Sequence, residues 1–318
     1  MPVWLLRQAG RYLPEYMEIR SKFPDFFEMI KTPKICKELT LQPLRRFPLD
    51  AAITFTDILT IPEAMGVDIK FIKGQGPVFA DSINNNPKLT LNESNYLEKL
   101  DYVFEATQLI KDEIDVPLIG FSGSPWTLFV YLFYGRSPRN YEIIKSYVTN
   151  EPENTHAILK ALTNAIKEYI SAQVKSGADC IQIFDSWGGI LSDQYNEFSL
   201  NYINEVRASL SKDIPMILYA KGTSVNGLLS DTKIDCFNLD CDENIDDYID
   251  MPLTVQGNFD PKDFHKEDAE LIDLADHIFE KYHTKQNYIF NVGSGITPDI
   301  DPDKVSLFLE RLRLFNSK

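Results

Sequence analysis

The sequence has few of the residues that bind metals or cross-link a chain. Its 318 residues include four cysteines and four histidines, and no two cysteines have the two-residue spacing typical of a zinc site. Four cysteines are also too few for a disulfide framework in a chain of this length. The sequence therefore predicts neither a metal site nor structural disulfides, and it favours the reducing cytoplasm.

Basic residues are scarce relative to acidic ones. The 32 Lys and Arg against 47 Asp and Glu leave a formal charge of −15, which argues against nucleic acid or an anionic membrane as a partner. No apolar run approaches the roughly 18 residues of a membrane span, and the first residues do not resemble a signal peptide. We therefore expect no nucleic-acid or membrane partner. An anionic ligand would need a local basic cluster.

Two common catalytic motifs are also missing. No Gly-x-Ser-x-Gly elbow occurs, and the glycine-rich residues 120–127 lack the Gly-Lys-Ser/Thr ending of a phosphate-binding loop. The sequence thus offers no support for a Ser-His-Asp hydrolase or for a nucleotide loop.

What recurs along the chain is a short, mostly apolar run. Such runs lie at residues 3–6, 51–55, 116–121, 178–184, 215–220, 234–239, 253–255 and 287–290. Between several of them the apolar residues have helical spacing, most clearly from Ile158 to Val174. This repetition predicts a (β/α)8 TIM barrel, an α/β fold, with an open doubly wound sheet as the alternative. No linker composition interrupts the chain, so residues 1–318 are predicted to form one domain.

Polar residues follow each of these runs. In a barrel they would meet at the end of the sheet where active sites form, and we call this end the rim. The rim residues are Arg7, Asp57, Ser122, Asp185, Ser186, Lys221, Asp240, Asn258 and Asn291.

Arginines cluster after the first run. Arg7 and Arg11 flank Gly10, and Arg20 follows nine residues later. A guanidinium can grip a carboxylate with two hydrogen bonds, so the three together suit a ligand bearing several carboxylates. The alternative is that they form ion pairs with acidic neighbours on the surface.

Asp57 stands between apolar residues, so its carboxylate needs a partner. It either caps the next helix or receives hydrogen bonds from a ligand's N–H groups and stabilises developing positive charge.

Among the aromatic residues after the third run, Tyr131 is the best candidate for a site residue, because it carries a hydroxyl near a strand end.

At this point a resemblance is clear. Residues 2–16, PVWLLRQAGRYLPEY, closely resemble the signature of the uroporphyrinogen decarboxylase family. Further segments resemble that family in its own order, at residues 41–47, 55–59, 120–128, 183–187 and 256–261. The resemblance covers essentially the whole chain.

The resemblance implies a barrel enzyme of haem biosynthesis in the cytoplasm, without a cofactor and forming a homodimer whose active-site clefts face each other. Its implied reaction is decarboxylation of the four acetate side chains of uroporphyrinogen III to methyl groups, which yields coproporphyrinogen III.

The resemblance also implies roles for particular residues. Asp57 resembles the aspartate that contacts the pyrrole N–H groups, and Asp57 and Arg7 are the predicted catalytic residues. The predicted substrate-binding residues are Arg7, Gln8, Ala9, Gly10, Arg11, Arg20, Asp57, Tyr131, Ser186 and Ser294.

Two departures from the family pattern stand out. The family usually has histidine in the loop after the last strand, where this chain has Ser294, a neutral donor of shorter reach. The family also has a short segment before the first strand, which here begins close to residue 2. Either the chain is naturally short or its beginning is missing.

Two other functions are alternatives, and the sequence argues against the first. Corrinoid-linked methyltransferases share this type of fold, but they resemble zinc enzymes with a His-x-Cys motif, which this sequence lacks. A tetrapyrrole carrier without catalytic activity is the second alternative, and Ser294 in place of histidine keeps it open.

Overall fold

The computed structural model describes residues 1–72, 74–138, 140–224, 227–228 and 230–316. A parallel sheet forms its centre. The strands, in their order across this sheet, are β1 (Ala52–Ile53), β4 (Leu118–Gly123), β5 (Cys180–Asp185), β6 (Met216–Ala220), β7 (Cys236–Asn238), β8 (Thr254–Gln256) and β9 (Tyr288–Ile289).

The N-terminal segment closes this sheet into a barrel. Val3 forms a parallel bridge with Phe290, next to β9. On its other side the Val3 carbonyl accepts a hydrogen bond from the Asp50 N–H, at 2.7 Å, just before β1. The segment thus fills the eighth strand position, and the predicted (β/α)8 barrel is confirmed. An open doubly wound sheet is wrong, because that sheet would leave two unpaired edges.

Helices alternate with these strands and cover the outside. They are α1 (Pro14–Arg20), α2 (Phe26–Ile30), α3 (Pro33–Arg46), α4 (Thr60–Ala64), α5 (Asp101–Lys111), α6 (Pro125–Tyr134), α7 (Glu142–Asn150), α8 (Pro152–Lys175), α9 (Asn201–Ala208), α10 (Asp268–Tyr282) and α11 (Pro302–Asn316).

The longest helix, α8, confirms the helical periodicity in the sequence. Leu159, Leu162, Ile166 and Ile170 recur at intervals of three and four residues and are fully buried against the barrel. Pro152 opens the helix, in the first turn, where its missing N–H breaks no helical hydrogen bond.

A small antiparallel hairpin was not predicted from the sequence. Its strands are β2 (Ile69–Ile72) and β3 (Gly76–Phe79), which pair from Ile69 with Phe79 to Ile72 with Gly76. The hairpin inserts between β1 and β4 along the chain, and Phe71 packs on Phe26 of α2 with ring centroids 4.6 Å apart. It therefore raises a wall above one side of the barrel.

Candidate active site

A cavity of about 760 Å³ opens at the rim, a volume within the usual range of small-molecule sites. Seven of the ten predicted site residues line it: Arg7, Gln8, Ala9, Asp57, Tyr131, Ser186 and Ser294. Most of the remaining wall is aromatic and aliphatic, and its rings are Phe55, Phe71, Phe121, Tyr141, Phe184, Trp187 and Tyr219.

Arg7 reaches the cavity from a turn directly after the first strand position. Its backbone is left-handed, with φ of 62°, so the chain reverses there and exposes the side chain. The guanidinium packs on the face of Gly295. A Cβ at Gly295 would lie 2.8 Å from the Arg7 Nε. Glycine at that position therefore leaves the space that Arg7 occupies.

Gln8 is buried, yet its side-chain amide is unsatisfied. Only 1% of the residue is exposed, and within the described residues neither Oε1 nor Nε2 has a hydrogen-bond partner. Its backbone is fixed, because the Gln8 carbonyl accepts a hydrogen bond from the Tyr12 hydroxyl at 2.7 Å. A buried polar group without a partner is costly, so a ligand that pairs with this amide would be stabilised.

Asp57 combines the two roles that the sequence left open. Its Oδ1 accepts a hydrogen bond from the Leu59 N–H at 2.8 Å, in the turn that leads into α4. Within the described residues no donor reaches Oδ2, and the residue lines the cavity. One oxygen thus caps a turn, while the other is available to a ligand.

Burial raises the pKa of Asp57 to about 6. The Leu59 hydrogen bond and the positive charge of Arg7 lower it in part. Near neutral pH the carboxylate is therefore mostly ionised. A charge held in a cavity that is poor in water interacts strongly with any charge that develops beside it.

Tyr131 faces this carboxylate from α6. Its ring meets that of Trp187 edge-on, with centroids 6.1 Å apart. Burial raises the pKa of the Tyr131 phenol, and the charge of Asp57 raises it further. The phenol stays protonated at neutral pH and can donate a hydrogen bond or a proton.

Ser294 lies where the loops after β7 and β9 meet. The Cys241 thiol donates a weak hydrogen bond to the Ser294 Oγ at 3.6 Å. The neighbouring carbonyl of Gly293 accepts a hydrogen bond from the Tyr219 hydroxyl at 3.1 Å. The Ser294 hydroxyl is thus anchored beside the cavity and remains able to donate to a ligand.

Gly10, Arg11 and Arg20 do not line the cavity. The Arg20 guanidinium donates to the carbonyl of Phe23, in its own loop. Arg11 is exposed and has no hydrogen bond or ion pair within the described residues. Their part in substrate binding therefore stays a prediction.

Asp185 was expected at the rim, but it is fully buried beneath it. Its carboxylate accepts hydrogen bonds from Ser124 at 2.6 Å, Ser199 at 2.7 Å and Thr127 at 3.1 Å. Burial raises its pKa, and these hydroxyl groups oppose the shift. The network fixes the end of β5, and thereby the position of the adjacent Ser186.

Two lysines complete the lining of the cavity. Lys221 follows β6 directly, and its place after an apolar run was the sequence signal for a rim residue. Lys145 lies on α7 and had no such signal. Among the described residues they and Arg7 are the three cations in the lining, which holds one carboxylate, that of Asp57. This local balance is the reverse of the chain's net charge.

The described residues contain neither a metal-binding cluster nor a membrane-spanning helix. In the part of the chain that the structure describes, no three His, Cys, Asp or Glu side chains are grouped so as to hold a metal ion. Among the same residues, no helix has both the length and the apolar composition that crossing a membrane requires.

A closed parallel barrel with a cationic, aromatic cavity at its rim has the architecture of the TIM-barrel enzymes, whose active sites lie at this end of the sheet. The family model of uroporphyrinogen decarboxylase (URO-D) matches residues 1–314. Uroporphyrinogen decarboxylase of Francisella philomiragia is 40% identical over 99% of this chain and 95% of its own length. That of Pseudoalteromonas translucida is 40% identical over 100% of this chain and 93% of its own. The chain belongs to the uroporphyrinogen decarboxylase family, which confirms the resemblance and places it among the decarboxylases of tetrapyrrole biosynthesis.

Solved structures agree on the fold. A methyltransferase from Methanosarcina mazei superposes with a TM-score of 0.76 at 18% identity, over 94% of this chain and 90% of its own. A B12-independent methionine synthase from Shewanella sp. gives 0.59 at 14% identity, over 92% of this chain and 90% of its own. At such low identity these similarities concern the barrel alone.

Proposed function

We propose that this protein removes the carboxyl groups of the four acetate side chains of uroporphyrinogen III and so forms coproporphyrinogen III. One observation carries the proposal: among the described residues, a cavity of about 760 Å³ has Arg7, Lys145 and Lys221 in its lining together with the carboxylate of Asp57, between aromatic walls. A tetrapyrrole with eight carboxylates needs cations at its edge, apolar contacts on its faces and an acceptor for its four pyrrole N–H groups. Membership of the family supports the same substrate.

The reaction needs an electron sink. Protonation of the pyrrole carbon next to the acetate makes the ring cationic. The bond between the acetate's methylene carbon and its carboxylate then breaks, its electron pair neutralises the ring, and CO₂ leaves. Protonation of the resulting methylene carbon and loss of the ring proton give the methyl group. The protonated pyrrole is itself the sink, so the proposal includes no cofactor.

Asp57 has the position and charge to stabilise that cation. Its unpaired Oδ2 can accept pyrrole N–H groups, and its carboxylate opposes the positive charge as the ring is protonated. Because this charge is already fixed, little reorganisation is needed in the transition state.

Three groups are candidates for donating the first proton: Arg7, Tyr131 and a water molecule. Arg7 is the cation next to Asp57, but a guanidinium is a weak acid. Tyr131 keeps its proton at neutral pH, and a water held by the substrate is the third donor. We assign to Arg7 the binding of a carboxylate and a share in proton donation.

The hairpin and the start of α7 both contribute to the cavity wall and also carry exposed apolar side chains, which supports a homodimer with facing clefts. Tyr141, Ile143 and Ile72 are 43%, 45% and 42% exposed. Tyr141 lines the cavity, and Ile72 belongs to the hairpin whose Phe71 does. We propose that a second copy covers them, in the cytoplasm, and sedimentation of the purified protein tests the dimer.

Turnover of anaerobically prepared uroporphyrinogen III tests the proposed activity. We expect CO₂ release and stepwise loss of four carboxyl groups. Chromatography of the oxidised products measures this loss. Binding of the tetrapyrrole without any release of CO₂ would replace the enzyme by a carrier.

A further inference from the structure

We infer that Lys221 is a second anion anchor, which holds a carboxylate of the substrate that does not react in that turnover. This inference rests on the proposed function and concerns a rim residue outside the ten predicted substrate-binding residues. It explains how the cavity can grip one side of a macrocycle while the chemistry proceeds at the other.

Strand order puts Lys221 opposite Arg7. Arg7 follows the strand position that the N-terminal segment fills, and Lys221 follows β6. Counting around the barrel from that segment, β1, β4 and β5 lie between them on one side, and β7, β8 and β9 lie between them on the other. The two strand positions are therefore diametrically opposed, and their backbones are about 15 Å apart in a barrel of eight tilted strands.

The backbone of Lys221 is held in place on both sides. Its N–H donates to the Asp185 carbonyl at 3.2 Å, and its own carbonyl accepts from the Gly189 N–H at 3.0 Å. Gly189 packs closely on Gly222, the residue after Lys221. A Cβ at Gly189 would lie 2.6 Å from the Gly222 carbonyl oxygen. The base of the Lys221 side chain is thus fixed.

The ammonium group of Lys221 has no hydrogen-bond or ion-pair partner among the described residues, although the side chain lines the cavity. Lys145, by contrast, pairs with Glu142 at 3.3 Å. A chain with a charge of −15 has many carboxylates available. Lys221 is exposed at the edge of an aromatic cavity and has no such partner there, so it is suited to a carboxylate from a ligand.

The carboxylate that Lys221 holds is not the reacting one. A carboxylate leaves as neutral CO₂, so a cation fixed on the reacting group would stabilise the ground state more than the transition state and would slow the reaction. Asp57, the charge that favours the transition state, lies after β1, three strand positions from β6. Contact at Lys221 therefore contributes equally to both states, as binding energy.

The experiment compares Lys221→Met with Lys212→Met. Lys212 lies in the exposed turn at the opposite end of the same strand, so the change of charge is the same while the cavity is untouched. For uroporphyrinogen III we expect the KM of Lys221→Met to rise about 5- to 10-fold, as for a partly screened charged hydrogen bond, with kcat within about twofold. Lys221→Arg should restore most of the KM.

A binding titration makes the test independent of turnover. Fluorescence titration with uroporphyrin, which keeps all eight carboxylates, should show weaker binding to Lys221→Met than to wild type, and a flatter dependence on salt. If wild type binds uroporphyrin but releases no CO₂ from uroporphyrinogen III, the proposed function fails. The titration with uroporphyrin still decides whether Lys221 is an anchor. Equal KM and equal binding in the two Met variants would overturn the inference. So would a loss of kcat at unchanged KM.

Discussion

Burial raises the pKa of Asp57 from 3.8 to about 6, and this shift has a consequence for stability. Below about pH 4 the carboxyl is protonated in both the folded and the unfolded chain. As the pH rises from there to about 6, the unfolded chain loses this proton first, so the free energy of unfolding falls. Above that range the loss is constant and amounts to at most about 3 kcal/mol, since each pKa unit corresponds to about 1.4 kcal/mol.

Asp57→Asn removes the charge and keeps the shape, and its amide oxygen can still accept the Leu59 N–H. We therefore expect the variant to be more stable than wild type at pH 7, with a Tm higher by up to about 4 °C for a chain of this size. The difference should vanish near pH 4. Calorimetry at several pH values measures it, and Asp115→Asn, an exposed aspartate before β4, is the matched control.

The same variant should be a poor enzyme. Loss of a fixed charge of this kind costs about 3–4 kcal/mol, which is about 10²- to 10³-fold in kcat, while the KM changes little. Wild-type kcat/KM should fall about tenfold per pH unit below pH 6, and this dependence should be absent in the residual activity of the variant. A variant less stable than wild type at pH 7, or a Tm difference that does not change with pH, would refute the burial argument. Intact turnover would refute the catalytic one.

Three further substitutions test the neighbours of Asp57. Gly295→Ala places a methyl group 2.8 Å from the Arg7 Nε, so the guanidinium must move and the KM should rise several-fold at unchanged Tm; an unchanged KM would remove Arg7 from the substrate contacts. Arg11→Ala should weaken binding of the porphyrinogen and reduce its salt dependence, and unchanged affinity would assign Arg11 to the surface. Ser294→Ala should keep turnover within about tenfold, because a neutral hydrogen bond contributes only about 0.5–1.5 kcal/mol. Ser294→His should tighten binding mainly at lower pH, where imidazolium forms, and an inactive Ser294→Ala would show a chemical role for the hydroxyl.

The barrel and the general place of the site could be derived from the sequence. Strands buried on both faces need continuous apolar residues, and each of the eight predicted runs coincides with a strand or with the segment that closes the barrel. The polar residues that follow each run come to the same end of the sheet, which is why Arg7, Asp57 and Ser186 were predicted there without knowledge of their contacts. The hairpin β2–β3 escaped, since it packs outside the barrel and its short strands have no such apolar run.

Which of those residues face the cavity was decided only by the tertiary structure. Asp185 and Ser186 are neighbours in sequence, but Asp185 is turned into the core by hydroxyl groups, and one of these, on Ser124, lies 61 residues away. Ser294 meets a thiol 53 residues away, and the raised pKa of Asp57 comes from burial by distant segments. Local pattern determines where a strand ends. Side-chain direction, hydrogen-bond partners and the loss of water around a charge depend on contacts between distant parts of the chain, which exist only in the folded barrel.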